Sequence, residues 1–397
     1  MTTSGIAAGM VGLGLAARAH AKGYVDLPQV ELAAVCDLDR ERAERFAEEY
    51  GVSTIYTDYE QMLADPDVNL IDIATPTYLH KAMTIQAARA GKHVHCEKPF
   101  CRSVSEGMEA VKAVRQEGVK LVVGETYVFL TSHMKARELI EAGEIGRPLQ
   151  IRERHGAWVE RRSGAVYRVP PDRNWRIDRV KSGGGDYTWI FDHVVHFFAT
   201  AEYLMLDLDI AEVHSVVASN RDQPVRTGAS HDPYTTAEVD IPIITWRYAD
   251  PACQGVWMRA EPLNGKYDYM HGFSTTVVGD KGMIEVLGEG GHNLLWQGQQ
   301  QHLILHREGK DTVCFRFDEG GDDIWQSDIC YYSQGHINQV HHLIECVMTD
   351  AEPRYTGEDG VHTVRCTLAA IRSAQLGRPV GIDEVGPDYT AYGEEQP

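Results

Sequence analysis

Gly12-Leu13-Gly14-Leu15-Ala16-Ala17 directly follows a short apolar stretch, Gly5 to Val11, that has the composition of a buried strand. In this GxGxxA pattern, the first glycine permits a tight turn and the second lets the backbone approach a pyrophosphate. The small Ala17 lets the next helix pack on the strand. Phosphate oxygens accept hydrogen bonds from the unpaired N–H groups that begin such a helix. The segment therefore predicts a strand, a turn and a helix that bind a dinucleotide.

An acidic residue ends the second predicted strand. Asp37 lies 23 residues after Gly14, where a carboxylate can accept hydrogen bonds from both hydroxyls of an adenosine ribose. Leu38 and Asp39 offer nothing attractive to a 2′-phosphate, although Arg40 is close by. We therefore expect NAD as the cofactor, with NADP as the less favoured alternative.

Predicted strands and helices alternate regularly through the first third of the chain. This alternation predicts a parallel sheet with right-handed crossovers, and ligands that bind at the carboxyl ends of its strands. The residues with the most evident chemistry all fall at such ends; they are Gly12, Asp37, Thr75, Glu97, Glu125 and Tyr127.

From about Met134 the pattern changes to long strands with few helices between them, which predicts a mostly antiparallel sheet. We therefore expect an α/β Rossmann domain over residues 1–128. An α+β domain with a large, open-faced sheet is expected over 129–385, where it would bind substrate and mediate oligomerisation. The polar residues 386–397 are predicted to form a loose tail.

Composition excludes several classes of protein. The net charge of −20 over 397 residues opposes binding to nucleic acid. The sequence shows no long apolar run and no basic, apolar N-terminus, so we expect no membrane span and no signal peptide, and a cytoplasmic location. Eight scattered cysteines without a CxxC pair predict reduced thiols. No metal site is expected.

Lys98 stands between Glu97 and Pro99 at the end of a predicted strand. An ammonium there can face a cofactor-bound substrate and ease a proton off its hydroxyl. The alternative is a solvated lysine before the start of a helix. Glu97 and Glu125 are interpreted as contacts to cofactor amides rather than surface acids. Thr75 and Pro76 shape a turn.

A second reactive group follows three consecutive glycines, 183 to 185. Asp192 and His196 are four residues apart on a predicted helix, so they share one face, and His193 is expected to point away from it. An imidazole can accept a hydroxyl proton near neutral pH, and the carboxylate can orient the ring. The alternative is an ordinary salt-bridging pair.

Aromatic and cationic residues concentrate between the first strand of the second domain and this helix. Aromatic rings stack on sugars, and arginine forks hold anionic groups. The cluster favours a sugar or glycoside that carries an anionic substituent; a basic surface loop or a contact with a neighbouring subunit is the alternative. Its members include Trp158, Arg161, Arg162, Trp175, Arg176 and Arg179.

These motifs together resemble the Gfo/Idh/MocA oxidoreductases, named for glucose-fructose oxidoreductase and inositol dehydrogenase. The resemblance covers nearly the whole chain and implies an active site in the cleft between two domains. It implies Lys98 as the catalytic lysine, with Asp192 and His196 as the family's DxxxH pair. The chain departs from the family at Val128, where an arginine is frequent, and in the longer, more basic segment 158–181.

The expected cofactor-binding residues are Gly12, Leu13, Gly14, Ala17, Asp37, Thr75, Pro76, His80, Glu97, Lys98, Glu125, Trp175 and Arg176. The expected substrate-binding residues are Lys98, Tyr127, Trp158, Arg161, Arg162, Arg179, Asp192, His193 and His196.

The first hypothesis for function is NAD-dependent oxidation of a secondary hydroxyl on a sugar, glycoside or cyclitol. A rival hypothesis is an NAD-dependent redox glycosidase, which oxidises, eliminates, adds water and re-reduces, and a third is a non-catalytic NAD sensor. Because an open antiparallel sheet has to cover its apolar face, a homodimer or homotetramer is expected.

Overall fold

The computed structural model of the protein describes residues 5–155, 175–176, 178–219, 240–259, 273–287, 301–317 and 333–393. The chain divides into two compact units. The first comprises residues 1–130 and 320–364, and the second comprises 131–319 and 365–397.

The first unit is built on a parallel sheet. Its described strands are β1 (Ile6–Val11), β2 (Val30–Cys36), β3 (Thr54–Tyr56), β4 (Leu70–Ile73), β5 (His93–Glu97) and β6 (Leu121–Gly124). They pair in the spatial order β3-β2-β1-β4-β5-β6, with all neighbours parallel. The strand order reverses between β1 and β4, which is where ligands bind in open α/β sheets.

Helices connect these strands as the alternating pattern predicted. They are α1 (Leu15–Val25), α2 (Arg40–Tyr50), α3 (Tyr59–Leu63), α4 (Thr77–Arg89) and α5 (Val104–Glu117). Local sequence sets their ends. The Asp39 carboxylate accepts a hydrogen bond from the Arg42 N–H at the start of α2, and Gly51 ends that helix at a φ of 71°.

The second unit is built on a larger sheet. Its described strands are β7 (Pro148–His155), β8 (Ile210–Ser219), β9 (Asp240–Tyr248), β10 (Gln254–Arg259), β11 (Phe273–Gly279), β12 (Gly282–Leu287), β13 (Gln301–Arg307), β14 (Val313–Phe317) and β15 (Val380–Gly381). Their order is β14-β13-β12-β11-β7-β10-β9-β8-β15. Only the β7–β10 pair is parallel among these described strands. The predicted fold class is confirmed.

Period-two patterning positions this sheet against its helices, α6 (Thr131–Glu141) and α7 (Thr188–Leu204). Along β9, Ile244, Trp246 and Tyr248 are buried, whereas Thr245 and Arg247 between them are exposed. The Trp246 ring packs edge-on against Phe198 of α7 at 5.4 Å between ring centroids. β9 therefore presents one apolar face to α7.

Two further helices close the chain, α8 (Ser333–Thr349) and α9 (Gly357–Leu376). α8 packs against α1 in the first unit, where Gly23 lies so close to Val340 that an added Cβ would come within 2.9 Å of it. The division between the units falls inside α9. None of the described helices is long and apolar enough to span a membrane.

The expectation of a loose tail is wrong for residues 386–393. The Arg372 guanidinium lies over the Tyr389 ring at 5.1 Å, and the Tyr389 hydroxyl hydrogen-bonds the Gln375 side chain at 3.0 Å. Ala391 is 7% exposed. An apolar or aromatic residue at every second or third position gives this polar-looking segment enough contact to pack.

Candidate functional site

The glycine turn has the geometry that a dinucleotide site needs. Gly12 adopts a φ of +84°, and a Cβ there would lie 2.8 Å from the Ala74 carbonyl oxygen, so only glycine fits. A Cβ on Gly14 would meet no heavy atom within 4 Å, which leaves room for a pyrophosphate against its backbone. Ala17 is fully buried between α1 and the sheet.

Asp37 ties the end of β2 to this turn. Its carboxylate accepts hydrogen bonds from the Leu13 and Asp39 N–H groups, each at 2.9 Å. The arginine beside it is Arg42, with Nη1 3.4 Å from Asp37 Oδ2, rather than Arg40, which pairs with Glu44 on the exposed side of α2. Sequence spacing pointed to Arg40, but the helical turn of α2 brings Arg42 back over the strand end.

The turn after β4 is held by a buried histidine. Thr75 and Pro76 lie between β4 and α4, with Pro76 as the N-cap. His80 is 1% exposed; its Nε2 lies 2.8 Å from the Thr75 carbonyl oxygen and its Nδ1 lies 2.8 Å from the Pro99 carbonyl oxygen. His80 therefore joins the turns that follow two neighbouring strands, β4 and β5.

Glu97 and Lys98 come at the carboxyl end of β5. Lys98 is half-buried, and its peptide bond to Pro99 is cis. The Glu97 carboxylate is 7% exposed and turns inward, with Oε1 3.1 Å from Nε2 of His20 on α1. The direct partner of Glu97 is thus an interior histidine; the predicted contact with a cofactor amide stays a prediction.

Behind Glu97 lies a buried polar network that sequence motifs do not indicate. His20 Nδ1 is 2.9 Å from Oδ1 of Asp72 on β4. The other oxygen of Asp72 accepts from the Tyr24 hydroxyl at 2.8 Å and pairs with His95 Nδ1 at 2.9 Å. His20, Asp72, Tyr24 and His95 are all fully buried. The only signal in the sequence was a single acid inside the apolar strand Leu70-Ile71-Asp72-Ile73.

This network holds charges inside the protein. Burial alone would lower the pKa of His20, but the carboxylates of Asp72 and Glu97 outweigh it and raise that pKa to about 10. Burial would raise the pKa of Glu97, but the hydrogen bond and charge of His20, followed by His336 and Lys98, lower it to about 2. Despite its burial, the pKa of Asp72 falls well below its usual range because of His20 and His95. His20 is therefore a buried imidazolium between two carboxylates.

The same side chains form two sets of three potential metal ligands, whose donor atoms lie within 4.8 Å of one another: His20, Asp72 and His95, and His20, Glu97 and His336. Both oxygens of Asp72 and both ring nitrogens of His20 already take part in hydrogen bonds. These hydrogen bonds account for the positions of the side chains as a buried ion-pair network, and the expectation that there is no metal site stays a prediction.

Glu125 and Tyr127 follow β6 as predicted. Glu125 is 1% exposed, and its carboxylate accepts a hydrogen bond from the Tyr127 N–H at 3.3 Å, at the start of a 3-10 helix over Thr126–Phe129. Tyr127 is 3% exposed. Glu125 therefore shapes the chain that leaves the strand.

In the second unit, α7 begins after a glycine turn in which Gly183 and Gly185 adopt φ values of +95° and +58°. A Cβ on Gly185 would lie 2.2 Å from the Ala391 carbonyl oxygen. Asp192 on this helix is 5% exposed, and its Oδ2 accepts a hydrogen bond from Arg176 at 2.6 Å. Arg176 is thus the charge partner of Asp192.

His193 faces this carboxylate, contrary to the expectation that it points away. Its Nδ1 lies 3.4 Å from Asp192 Oδ2 and 3.2 Å from the Trp189 carbonyl oxygen. The ring stacks on Trp189 with 4.4 Å between centroids and 12° between planes. Side chains in helices lean toward the preceding turn, which carries this ring back onto Trp189. With Nδ1 facing two acceptors, the neutral ring carries its proton there and its lone pair on Nε2.

Arg259 of β10 extends this stack, because its guanidinium lies 3.6 Å from the centre of the Trp189 ring. Trp257 on the same strand is fully buried against Trp189 and against Phe197 of α7. None of these residues stands out in the sequence, since nothing along the chain indicates that β10 lies beneath α7.

The remaining predicted residues either lie in the described part of the chain, as Trp175, Arg176, Arg179 and His196 do, or lie outside it. Arg176 lies 5.0 Å from the Trp175 ring centre, and Arg179 pairs with Asp186 at the surface. His196 lies half-buried on α7, and its carbonyl oxygen accepts a hydrogen bond from the Thr200 hydroxyl. Trp158, Arg161 and Arg162 lie outside the described residues.

Known proteins resemble the chain over most of its length. Residues 6–125 match a family described as an oxidoreductase family with an NAD-binding Rossmann fold, and residues 137–382 match its C-terminal alpha/beta domain.

Two curated relatives are informative. The chain is 32% identical to 2,7-anhydro-N-acetylneuraminate hydratase of Mediterraneibacter gnavus over 88% of its own length and 90% of the relative's. It is 28% identical to scyllo-inositol 2-dehydrogenase (NAD(+)) of Bacillus subtilis, over 94% and 95% of the two chains.

Among solved structures, aldose-aldose oxidoreductase from Caulobacter crescentus superposes with a TM-score of 0.73 at 23% identity, over 95% of this chain and 99% of that one. This likeness supports the fold. From the matches to both domains and from the relatives, the chain belongs to the Gfo/Idh/MocA family of sugar and cyclitol oxidoreductases, with an NAD-binding Rossmann domain.

Proposed function

We propose that the protein is an NAD-dependent dehydrogenase that oxidises a secondary hydroxyl of a sugar, glycoside or cyclitol. The observation that carries this proposal is the arrangement of one sheet edge. The glycine turn, Asp37, the Thr75 turn and Lys98 end four strands of a single parallel sheet in which β1, β4 and β5 are adjacent. A cofactor site and an acid-base lysine therefore belong to one edge.

NAD is favoured over NADP by the chemistry of Asp37. Its carboxylate is anchored to the Leu13 N–H and would accept ribose hydroxyls, whereas it would repel a 2′-phosphate. Arg42 beside it offsets part of that repulsion. The relative from B. subtilis carries NAD(+) in its name, in agreement with this choice.

Bound NAD supplies the hydride acceptor, and side chains of this protein supply the proton transfer. Lys98 hydrogen-bonds the substrate hydroxyl and stabilises negative charge on its oxygen. A histidine of α7 removes the hydroxyl proton, and Asp192, held by Arg176, stabilises the imidazolium that results. The substrate carbon thereby loses a hydride and its oxygen a proton.

We propose His193 as the base, because its Nδ1 lies 3.4 Å from Asp192 Oδ2 and 3.2 Å from the Trp189 carbonyl oxygen; His196, which shares a helical face with Asp192, is the alternative. His193→Ala should lower kcat at least about 100-fold, whereas His196→Ala should lower it less than about 10-fold. Steady-state kinetics of both variants at saturating NAD measure this difference. If His196→Ala proves the more damaging change, the base is His196.

A redox glycosidase is the second candidate, favoured by the 32% identity to a hydratase that acts on 2,7-anhydro-N-acetylneuraminate. Oxidation at one ring carbon acidifies the adjacent C–H. Loss of that proton expels the anomeric substituent, water adds to the resulting alkene, and the hydride returns to the ring. The net reaction is then hydrolysis or hydration, and NAD is regenerated.

One assay separates these functions. The purified protein would be incubated with NAD or NADP and a panel of myo-inositol, scyllo-inositol, levoglucosan, 2,7-anhydro-N-acetylneuraminate, uronates, sulfosugars and aryl glycosides. NADH absorbance and released product would both be followed. A dehydrogenase forms NADH in proportion to oxidised product, and a redox glycosidase forms product with little net NADH. NAD binding without turnover of any compound would favour the sensor hypothesis and contradict the proposal.

A further inference from the structure

Both chain neighbours of Lys98 are bonded by buried histidines that belong to other elements. On one side, the Glu97 carboxylate pairs with His20 Nε2 of α1 at 3.1 Å. On the other side, the Pro99 carbonyl oxygen lies 2.8 Å from His80 Nδ1 of α4. Neither histidine is more than 1% exposed. The backbone that carries Lys98 is therefore held at two adjacent points.

Both ring nitrogens of His80 make contacts with backbone carbonyl oxygens. Its second nitrogen, Nε2, lies 2.8 Å from the Thr75 carbonyl oxygen, so one ring spans the turns after β4 and β5. Burial lowers the pKa of His80, and the Thr75 and Pro99 carbonyls and then the charges of Glu97 and Glu106 oppose that shift. The net pKa shift is downward, so near neutral pH the ring is neutral and donates to one of these two oxygens; the tautomer with its proton on Nδ1 donates to the Pro99 carbonyl.

The His20 contact is anchored from behind. His20 Nδ1 bonds Asp72, whose carboxylate is also held by the Tyr24 hydroxyl at 2.8 Å. His336 of α8 also faces Glu97, with Nδ1 at 3.9 Å from Oε1. Because these groups are buried and mutually paired, Glu97 has little freedom to rotate.

We infer that His20 and His80 are positioning residues for Lys98, which they hold through Glu97 and Pro99 respectively. This inference rests on the proposed function, in which Lys98 contacts the reacting hydroxyl. A displacement of about 1 Å at a reacting group can lower a rate about 100-fold. Loss of either the His20–Glu97 contact or the His80–Pro99 contact should therefore reduce kcat more than it weakens NAD binding.

Substitutions at His80 separate its two contacts. The asparagine side-chain nitrogen matches the position of histidine Nδ1, and the glutamine nitrogen matches Nε2. His80→Asn therefore keeps a donor for Pro99, and His80→Gln keeps one for Thr75. We expect His80→Gln to lower kcat about 10- to 100-fold and His80→Asn to stay within about 5-fold of the parent enzyme.

At His20 the asparagine and glutamine variants are expected to have the opposite order of effect on kcat. His20→Gln keeps a donor for Glu97, and His20→Asn keeps one for Asp72, so His20→Asn should be the more damaging change for kcat. His93→Gln is the matched control, since His93 begins the same strand and its ring accepts a hydrogen bond from the Lys120 N–H at 3.0 Å. The dissociation constant for NAD, measured by fluorescence, should change less than kcat in every variant.

A double-mutant cycle tests whether these residues act through Lys98. In a Lys98→Ala background, His80→Gln and His80→Asn should have equal kcat, because the group that they position is gone. A difference that persists in that background, or equal kcat of the two single variants, would overturn the inference.

A measurement that needs no substrate distinguishes failure of this inference from failure of the proposed function. Amide hydrogen exchange of the segment 97–101 should be faster in His80→Gln than in His80→Asn, while exchange in α2 stays unchanged. Equal exchange in the two variants refutes the hold on Pro99. Full activity of Lys98→Ala, by contrast, refutes the catalytic role of the lysine and leaves the exchange result standing.

Discussion

Replacing Lys98 with alanine is expected to lower kcat by about 10²- to 10⁴-fold. The ammonium stabilises an oxygen that becomes negative only as the hydroxyl proton leaves, so its contribution is larger in the transition state than in the bound substrate. The KM for substrate should therefore change much less than kcat. Steady-state kinetics with the substrate that the panel identifies measure both constants.

Lys81→Ala supplies the control for this experiment. Lys81 lies on α4, where it pairs with Glu109 at 2.7 Å near the surface. Its removal should leave kcat within about 2-fold, because surface ion pairs contribute little. A Lys98→Ala enzyme with more than a tenth of the parent kcat would show that the lysine does not take part in proton transfer.

Replacing Asp72 with asparagine is expected to destabilise the first unit by about 3–5 kcal/mol near pH 6. The new side chain has nearly the same shape, but it leaves the His20 imidazolium with Glu97 as its remaining directly bonded carboxylate. When one partner of a buried ion pair is removed, the other charge stays buried without a partner that compensates for its lost hydration. Urea unfolding followed by circular dichroism would measure the loss.

The dependence of this loss on pH identifies its cause. His20 has its pKa raised from 6.5 to about 10, so its stabilising contribution is complete below pH 6.5 and disappears as the pH rises toward 10. The pKa of Glu97 is lowered from 4.5 to about 2, so its contribution is complete above pH 4.5 and is lost at lower pH. The difference between parent and Asp72→Asn should therefore narrow between pH 6.5 and 10.

Asp67→Asn is the matched control, because Asp67 is exposed between α3 and β4. Its stability should stay within about 0.5 kcal/mol of the parent protein. A destabilisation by Asp72→Asn that is the same at pH 6 and at pH 10 would mean that lost packing, rather than lost charge, is responsible.

The arrangement of the first sheet could be predicted because its information is local. The strands β1, β2, β4 and β6 are short, mainly apolar runs that are followed by a glycine, an acid or a Thr-Pro turn. The only topology that joins such alternating units compactly is a parallel sheet with right-handed crossovers. Gly12 shows why the prediction succeeds, since its φ of +84° and its contact with Ala74 admit no other residue. The predicted homo-oligomer and the predicted cofactor contacts stay predictions.

The charged network could not be predicted in the same way. His20, Asp72 and Glu97 are separated by 52 and 25 residues along the chain, and each looks like an isolated polar residue in an apolar element. The directions in which side chains point could not be predicted from the sequence either. Glu97 turns toward His20, and His193 turns back onto Trp189 beside Asp192.

By itself, the amino-acid sequence determined the class of fold, the family, and the strand ends at which Asp37 and Lys98 lie, because glycine turns, apolar periodicity and strand-end motifs are read over a few residues. Only the tertiary structure decided which arginine accompanies Asp37, that His193 turns toward Asp192, and what holds Glu97. Those partnerships depend on packing between elements distant in the chain, where burial makes an unpaired charge too unfavourable to persist.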